Sequence, residues 1–412
     1  MPATSKNPLS LGTDYETLAN RFRPLFQQIS AGTLEREQSH TLPYEPIRWL
    51  KQAGFGAIRV PTEYGGAGAS VEQLFELLIE LAEADSNIPQ SLRGHFAFVE
   101  DRLNAPPSDE RDRWFQRFVE GELVGNGWTE VGSVKLGEVI TKARPDGDRF
   151  LLSGKKYYST GSIFADWIDV YAQRSDNGAD VIAVVDAHHA GVHQSDDWDG
   201  FGQRTTGSGT SVFENVPVPA EHIIAFENRF KYQTAFYQLV LLAVLAGTGR
   251  AIERDITRQI RERTRVYSHG NATSASADVQ IQQVVGQISA QVYAAQATTL
   301  RAARPLQRAY EARFSGNPDE ERAANIAAEI ETAQAQVIVS DLILRAATDL
   351  FNALGASGVS VSKALDRHWR NARTVASHNP LIYKAKIVGD WSINGTEPPY
   401  VWQIGQGNPT SG

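Results

Sequence analysis

Three long segments with helical periodicity fill the second half of the chain, and they constrain the fold more than any other feature of the sequence. They span Leu239–Arg263, Val279–Phe314 and Glu321–Leu354. Apolar residues of the second segment recur at three- and four-residue spacing, which places them on one helix face. A Gly-Asn-Pro break at 315–319 separates the second segment from the third. Long helices joined by short connections predict a helical bundle.

The middle of the chain has a different pattern, from about residue 122 to 220. Short β-rich runs are separated there by Gly, Asp, Asn or Ser, and no helix-length segment divides them. The runs are Phe150–Leu152, Ile168–Ala172, Val181–Val185 and Ser211–Val218. This pattern predicts a small antiparallel barrel or sandwich and argues against a nicotinamide-dinucleotide unit, which alternates strands with helices.

The first 120 residues are again helical in pattern, because the apolar residues of Val71–Leu81 recur at helical spacing. The order helix, sheet, helix predicts three domains. We place them at 1–121 (N-terminal helical domain), 122–228 (β-barrel domain) and 229–412 (C-terminal helical bundle).

Composition narrows the class of partner. The chain of 412 residues has 48 acidic and 40 basic side chains, a formal net charge of −8. This balance argues against nucleic acid or an anionic membrane as the main partner. The most apolar run, Leu239–Gly247, is too short to span a bilayer. The chain has no cysteine, so disulfides, thiol nucleophiles and cysteine-ligated metals are excluded. The absence of cysteine is also consistent with a protein of a reducing compartment.

The stretch Asp366–Lys384 concentrates groups that suit a ligand site. It holds four cations, two histidines and a tryptophan: Arg367, Arg370, Arg373, Lys384, His368, His378 and Trp369. Pro380 cannot continue a helix, so His378 is expected where a helix ends and a loop begins. Loops of this kind commonly present side chains to ligands.

This stretch resembles the C-terminal flavin-proximal segment of the acyl-CoA dehydrogenase superfamily. The residues Arg370-Asn371-Ala372-Arg373 match the superfamily's Arg-Asp-Ala motif, and Asn379 falls where the dehydrogenases carry their catalytic Glu. An amide is not a general base near neutral pH. The monooxygenase branch, which includes the dibenzothiophene and sulfur-acquisition monooxygenases, has a histidine beside this position, and His378 matches it.

Further motifs carry the same resemblance along nearly the whole chain. Asn126-Gly127-Trp128-Thr129-Glu130 resembles the first flavin-contact loop, and Ser159 falls at the position that faces the reactive edge of the flavin. The segment Gly202–Gly209 with Phe213–Val218 is the most specific match. His95 corresponds to an active-site histidine of the monooxygenases. Without the resemblance, His95 and Ser159 would be read as ordinary packed side chains.

The resemblance also implies the contacts to the cofactor. Arg265, in Arg263-Thr264-Arg265-Val266-Tyr267, matches an arginine that reaches the flavin phosphate, and a guanidinium suits a phosphate. Cofactor contacts are therefore expected from Trp128, Thr129, Ser159, Arg265 and Arg370. Catalytic contacts are expected from His95, Asn126, Ser159 and His378, with His378 donating a hydrogen bond and titrating near neutral pH.

Two absences in the sequence argue against an acyl-CoA dehydrogenase and against a metal site. A second position used for the catalytic Glu in some dehydrogenases falls near Tyr237, and no acid occurs between Asn228 and Arg250. His188, His189 and His193 invite a metal site, but no Cys or carboxylate completes a ligand set at suitable spacing. We therefore expect no metal.

The resemblance implies an enzyme with the acyl-CoA dehydrogenase-like fold, mainly α with a central antiparallel β-barrel. It implies a two-component flavin-dependent monooxygenase that uses reduced FMN and O2, through a C4a-hydroperoxyflavin, on a small sulfur- or nitrogen-containing substrate. FAD stays possible as the cofactor. The expected partner is a separate NAD(P)H:flavin reductase, and a cytoplasmic homotetramer is expected. The alternatives are an amine or amino-sugar N-hydroxylase, an acyl-CoA dehydrogenase and a non-catalytic flavoprotein.

Overall fold

A computed structural model describes residues 14–131 and 138–402 of the chain. The helices of the first third are α1 (Tyr15–Ala31), α2 (Thr33–Ser39), α3 (Tyr44–Gln52), α4 (Val71–Ala84), α5 (Asn87–Ser91), α6 (Arg93–Asn104) and α7 (Asp109–Val119). The strands are β1 (Val124–Gly127), β2 (Lys142–Asp146), β3 (Arg149–Lys156), β4 (Trp167–Arg174), β5 (Asp180–Asp186), β6 (Val192–Gln194), β7 (Ser211–Pro219) and β8 (Ile223–Ala225). The last helices are α8 (Gln233–Glu262), α9 (Val279–Ala312), α10 (Pro318–Asp349), α11 (Asp366–Ala376) and α12 (Leu381–Asn394).

The expected order of helices, sheet and helices is confirmed, together with the acyl-CoA dehydrogenase-like architecture. The sheet differs in one respect from the antiparallel barrel that the strand pattern predicted, because it is mixed. Strand order is β6-β7-β3-β2-β4-β5-β8, with β1 also paired to β4. Strands β1 and β2 both run parallel to β4, and the other pairings are antiparallel.

The two parallel pairings have a simple geometric cause. Strand β1 pairs with the first half of β4 and β2 pairs with its end, so the two strands follow one another along the same side of β4. Only after β2 does a tight turn reverse the chain into β3. A composition pattern cannot reveal this arrangement, because β-rich residues suit parallel and antiparallel ladders alike.

Strand β5 is apolar on both faces because each face packs against something different. Val181, Ala183 and Val185 belong to the core of the sheet, whereas Ile182 and Val184 pack against α6 and α7. The sheet therefore lies with one face against the N-terminal helices. This packing brings α6 next to β1, where the candidate site lies.

Helix α8 is the central helix of the molecule. It packs against α4, α9, α10 and α11, and a Cβ at Gly247 would lie 2.4 Å from the Cβ of Ala82 on α4. The helix is long and apolar enough to cross a membrane, but 89% of its most apolar window is buried inside the protein. Its hydropathy is therefore that of a core helix.

The helices before and after the sheet share one hydrophobic core. Leu74 and Leu78 of α4 belong to the same buried cluster as Leu239 and Val244 of α8. The division into domains at 1–121, 122–228 and 229–412 stays a prediction. The expected short fourth helix of the bundle is split into α11 and α12, with Pro380 immediately before α12.

Candidate functional site

Asn126 presents an unpaired acceptor from β1. Its side chain is buried, and its Oδ1 has no hydrogen-bond partner among the described residues. Helix α6 passes so close that a Cβ at Gly94 would lie 2.8 Å from this oxygen, so a larger residue at Gly94 would obstruct it. A buried polar atom without a partner is costly, and it commonly marks a place where a ligand completes the hydrogen bond.

Ser159 presents a second unpaired group, just after β3. Its backbone N–H donates to the Gly209 carbonyl at 2.9 Å, while its buried Oγ has no partner among the described residues. The turn that follows requires Gly161 (φ +78°), where a Cβ would lie 1.8 Å from the Ser91 carbonyl oxygen. Ser162 Oγ then donates to the backbone carbonyl of Asn126 at 3.1 Å, which ties this turn to β1.

Trp128 is held rigidly at the end of β1. Its indole N–H donates to Asp169 Oδ1 at 2.9 Å, and its ring packs against the rings of Tyr171 and Tyr237. Thr129, the next residue, forms a bridge to Tyr157 through its backbone, and its hydroxyl has no partner in the part of the chain that is described. The pair therefore combines a fixed aromatic surface with a free hydroxyl.

His378 lies in the link between α11 and α12, as the sequence predicts. The residue is exposed to solvent, although many protein atoms surround its ring. This enclosure, with the positive charges of Arg93 and Lys384, lowers the pKa of His378 to about 3. The expected titration near neutral pH therefore does not occur.

The tautomer of His378 follows from its neighbour. Nδ1 lies 3.1 Å from Asn379 Oδ1, and an amide oxygen only accepts, so Nδ1 carries the proton. Nε2 is then a lone-pair acceptor. The resemblance implies that His378 donates a hydrogen bond, whereas the free nitrogen in this tautomer is an acceptor.

Arg93 is the residue that sequence reasoning missed. It is 6% exposed on α6, its Nε has no acceptor, and no described carboxylate pairs with it. Its guanidinium lies over the Tyr237 ring, 5.2 Å from the centroid, and burial lowers its pKa to about 10. The Tyr237 hydroxyl is likewise buried without a partner. A single Arg beside a predicted apolar helix gives no sequence signal of burial.

Lys384 and Glu329 form a second feature that the sequence did not reveal. Both are buried, and burial lowers the pKa of Lys384 and raises that of Glu329. Glu329 also accepts the backbone N–H of Ala235 at 2.8 Å. The charge of each group favours the charged form of the other, against the effect of burial.

His95 does not have the free nitrogen that a catalytic role requires. Its Nδ1 accepts the Val124 N–H at 3.2 Å, so its Nε2 carries the proton and donates to the Gly56 carbonyl at 2.9 Å. The ring is 1% exposed, and burial lowers its pKa to about 4. In this chain His95 joins α6 to β1 through both ring nitrogens, and its direct catalytic contact stays a prediction that this geometry does not favour.

Arg370 bonds other parts of the protein through Nε and Nη1, and its contact with a cofactor stays a prediction. Its Nε donates to Asp366 at 2.8 Å, and its Nη1 donates to Glu37 at 2.8 Å and to the Phe201 carbonyl at 2.9 Å. Beside it, Asn371 Oδ1 accepts the Gln203 N–H at 2.6 Å. These residues fasten the 195–210 loop to α11, so Arg370 positions the loop that supports Ser159.

Arg367 and His368 point away from the candidate site. Arg367 Nη2 lies 2.5 Å from Asp255 Oδ2 of α8, and His368 Nε2 lies 3.0 Å from the same oxygen. Much of the cationic stretch 366–384 therefore anchors α11 to α8. Sequence alone counts these charges but does not give their partners.

Arg265 is exposed just beyond the end of α8 and pairs with no described residue. Tyr237 lies near the start of the same helix. At about 1.5 Å per residue, Arg265 is roughly 40 Å from Tyr237. One protomer therefore does not bring Arg265 together with Asn126, Ser159 and His378.

The three neighbouring histidines have separate partners. His188 Nε2 lies 3.8 Å from Asp166, His193 Nε2 lies 3.8 Å from Glu214, and His189 Nδ1 accepts the Gly191 N–H at 3.0 Å. Within residues 14–131 and 138–402, no group of three potential ligands is arranged to hold a metal.

Neither dehydrogenase position carries a general base. Asn379 is an amide, and burial raises the pKa of Tyr237 above its usual value, so that its hydroxyl stays protonated. The site instead combines unpaired hydrogen-bonding groups, a fixed aromatic surface and a neutral imidazole. Such a site can orient a flat cofactor, but within the described part of the chain it lacks the base that would remove a carbon-bound proton.

Comparison with known proteins gives the same family over most of the chain. Residues 14–122 match the model "Acyl-CoA dehydrogenase, N-terminal domain" and residues 239–381 match "Acyl-CoA dehydrogenase, C-terminal domain". These two matches flank the sheet.

Curated relatives include a dibenzothiophene monooxygenase of Mycolicibacterium goodii, 26% identical over 91% of this chain and 93% of the relative. The probable FMNH2-dependent monooxygenase SfnC of Pseudomonas putida is 25% identical over 91% and 94%. An L-evernosamine nitrososynthase of a Micromonospora species is 26% identical over 89% and 87%.

Among solved structures, FMN-bound TdsC from Paenibacillus sp. A11-2 superimposes with a TM-score of 0.85, at 25% identity, over 93% of this chain and 98% of that one. The matching domains, these relatives and the missing base agree. The chain belongs to the acyl-CoA dehydrogenase superfamily, in its branch of flavin-dependent monooxygenases.

Proposed function

We propose that this protein is the oxygenase component of a two-component system that uses reduced FMN and O2 to oxygenate a small organic substrate at sulfur. One oxygen atom goes to the substrate and the other leaves as water, with two electrons drawn from the reduced flavin. The observation that carries the proposal is the pair of buried, unpaired groups, Asn126 Oδ1 and Ser159 Oγ, in a site without a carboxylate base.

The residues present fit a flavin. Trp128 offers a fixed aromatic surface, and the hydroxyls of Thr129 and Ser159 are free to hydrogen-bond a polar ring edge. The cofactor supplies the activation of dioxygen, and the protein supplies binding and orientation. FMN is preferred over FAD because SfnC is named for FMNH2 and TdsC is solved with FMN.

The protein groups have separate tasks. Ser159 and Asn126 orient the reacting groups, and Arg370 fixes the loop behind Ser159. His378 is neutral at working pH, so its Nε2 accepts a hydrogen bond without adding charge to the site. The buried positions of Asn126 and Ser159 keep water away from the reacting groups, which favours oxygen transfer over release of peroxide.

Reduced flavin has to come from another protein, because the sequence has no dinucleotide-binding fingerprint. We propose a separate NAD(P)H:flavin reductase as the partner. A reductase of this kind needs NAD(P)H, so we place both proteins in the cytoplasm.

A homotetramer would bring Arg265 to the flavin. Arg265 is roughly 40 Å from Tyr237 along α8, so a contact with flavin phosphate requires a second copy of the chain. Large apolar side chains are exposed on the bundle helices at Val279, Tyr293, Val337, Ile338, Ile382, Tyr383 and Ile393. Such residues are typical of a surface that another copy covers.

The oligomer is tested by light scattering coupled to size-exclusion chromatography and by flavin titration. We expect a tetramer, and we expect Arg265→Ala to weaken FMN binding by roughly tenfold or more, as for loss of a charge-assisted hydrogen bond. Arg261→Ala, at the end of the same helix, is the matched control. A monomer with full FMN affinity would contradict the proposal.

A nitrogen atom is the second candidate for the site of oxygenation. The nitrososynthase relative favours it, at an identity equal to that of the dibenzothiophene monooxygenase. Product analysis with an organic sulfide and an amino sugar, each with reduced FMN, decides between the two. A non-catalytic flavoprotein would bind FMN and oxygenate neither, and a dehydrogenase would instead oxidise an acyl-CoA.

A further inference from the structure

The environment of Arg93 is unusual for a buried arginine. Arg59 is equally buried, at 6% exposed, but its guanidinium forms a bidentate salt bridge with Glu100 at 2.9 to 3.1 Å. Arg93 instead lies over the face of the Tyr237 ring, and no carboxylate of the described residues pairs with it. A buried cation without an anion is destabilising, so an arginine kept in this state requires a compensating partner.

Two acidic groups in this region interact with other cations. Asp169, which lies close enough to Tyr237 to raise its pKa, is bound by Arg229 at 2.9 Å and by the Trp128 indole at 2.9 Å. Glu329 interacts electrostatically with Lys384. The site around Arg93 therefore retains one uncompensated positive charge among the described residues.

The geometry also supplies hydrogen-bond donors for an anion. A guanidinium presents several N–H groups in a planar fork that suits carboxylates and related oxyanions. The unpaired Tyr237 hydroxyl lies next to it, and its raised pKa keeps it protonated as a donor. Arg93 lies close enough to His378 to lower its pKa, so Arg93 adjoins the candidate flavin site.

We propose that Arg93 and the Tyr237 hydroxyl form a recognition subsite for an anionic group, a carboxylate or a sulfinate, on the substrate. The inference rests on the proposed function, because it names the substrate class of that site. It predicts that the natural substrate is a small organic anion, and that an uncharged molecule of the same shape binds more weakly.

The test compares two probes of similar shape, benzenesulfinate and neutral methyl phenyl sulfone. Their binding to the FMN-loaded protein is measured by isothermal titration calorimetry. We expect wild type to prefer the anion, and Arg93→Leu to weaken anion binding by roughly ten- to a hundredfold while leaving the sulfone unchanged. Arg93→Lys should keep part of the preference, and Tyr237→Phe should lose a smaller part.

Thermal unfolding provides a readout that does not depend on activity. We expect Arg93→Leu to melt at or above the wild-type temperature, because it removes an unpaired buried charge, whereas Arg59→Leu should melt well below it. Benzenesulfinate should raise the melting temperature of wild type but not that of Arg93→Leu. If Arg93→Leu destabilises as much as Arg59→Leu, or binds benzenesulfinate like wild type, the subsite is refuted.

The flavin phosphate is the other source of an anion, and a separate measurement distinguishes it. FMN and riboflavin affinities are compared in wild type and Arg93→Leu. The proposal expects both affinities to be unchanged by the substitution. A selective loss of FMN affinity would assign Arg93 to the cofactor and overturn the proposal. If anion binding behaves as expected but no substrate is oxygenated, the subsite stands while the proposed function fails.

Discussion

His378 differs from a free histidine in its pKa and in having one fixed tautomer. The surrounding protein and two nearby cations keep the ring neutral. The hydrogen bond to Asn379 holds the proton on Nδ1, which leaves Nε2 as the acceptor. A group with a pKa of about 3 does not change charge between pH 5 and 9. It can therefore serve as a constant acceptor over the working range of an enzyme.

His378→Ala should lower the rate of product formation by roughly 10²-fold, the size expected for loss of a preorganised hydrogen-bonding group. More hydrogen peroxide should be released per O2 consumed, while FMN affinity should change little. His193→Ala, an exposed surface histidine, is the control. Unchanged coupling in His378→Ala would make His378 a packing residue.

The pH profile gives an independent check on the same residue. Because the pKa of His378 lies near 3, wild-type activity should have no acidic limb near pH 6.5 that depends on this side chain. The measurement is kcat/KM from pH 5 to 9 in wild type and His378→Gln. A limb near pH 6.5 that disappears in the variant would contradict the enclosed, neutral imidazole.

At the scale of elements, one carboxylate holds α11 in place. The carboxylate of Asp255 on α8 accepts hydrogen bonds from Arg367 and His368. These two partners hold the pKa of Asp255 well below its usual range despite burial. The position of α11 in turn fixes both the 195–210 loop and the link that carries His378. The candidate site thus depends on a contact made at the opposite end of α11.

Asp255→Asn should destabilise the protein by about 3 kcal/mol, because it leaves Arg367 buried without its counter-ion. Asp366→Asn is the matched control: that carboxylate is exposed and bonds Arg370 from the first turn of α11, and its loss should cost less than about 1 kcal/mol. Equal losses in urea unfolding would show that the Asp255 contact is no anchor.

Sequence patterns predicted what depends on local spacing. The long helices, the break at Pro380 and the small residues of the 202–209 loop are all readable from neighbours along the chain. The partners of Arg93, Arg370 and His95 are not, because each is set by elements distant in sequence: α8, α2 with the 195–210 loop, and β1. The resemblance names Asn126, Ser159 and His378 as site residues, which stays a prediction, and it could not give their protonation or free atoms.

At the scale of the whole molecule, buried neutral histidines link stability to pH. Burial lowers the pKa of both His95 and His222 to about 4, from an unfolded value near 6.5. Between these values the unfolded chain binds protons that the folded protein excludes. Stability therefore rises with pH across this window and is lost as pH falls below 6.5.

Each such histidine contributes at most about 1.4 kcal/mol per pH unit within the window. Unfolding free energy measured from pH 7.5 to 5 should fall, and His95→Gln should reduce the slope by about one proton. The glutamine keeps a donor and an acceptor, so the variant remains a fair comparison. A slope unchanged by the substitution would mean that His95 is not the buried neutral group described.

The most direct test of the central claim is the origin of the oxygen atom in the product. Purified protein is mixed with chemically reduced FMN and ¹⁸O2, separately with dibenzothiophene, benzenesulfinate and an amino sugar, and the products are analysed by mass spectrometry. Parallel reactions contain short- and medium-chain acyl-CoA with an artificial electron acceptor. The account predicts one ¹⁸O atom in an oxygenated product, from reduced FMN without NADH, and no acceptor reduction by any acyl-CoA. Acceptor reduction by an acyl-CoA, with no ¹⁸O in any of the three compounds, would contradict it.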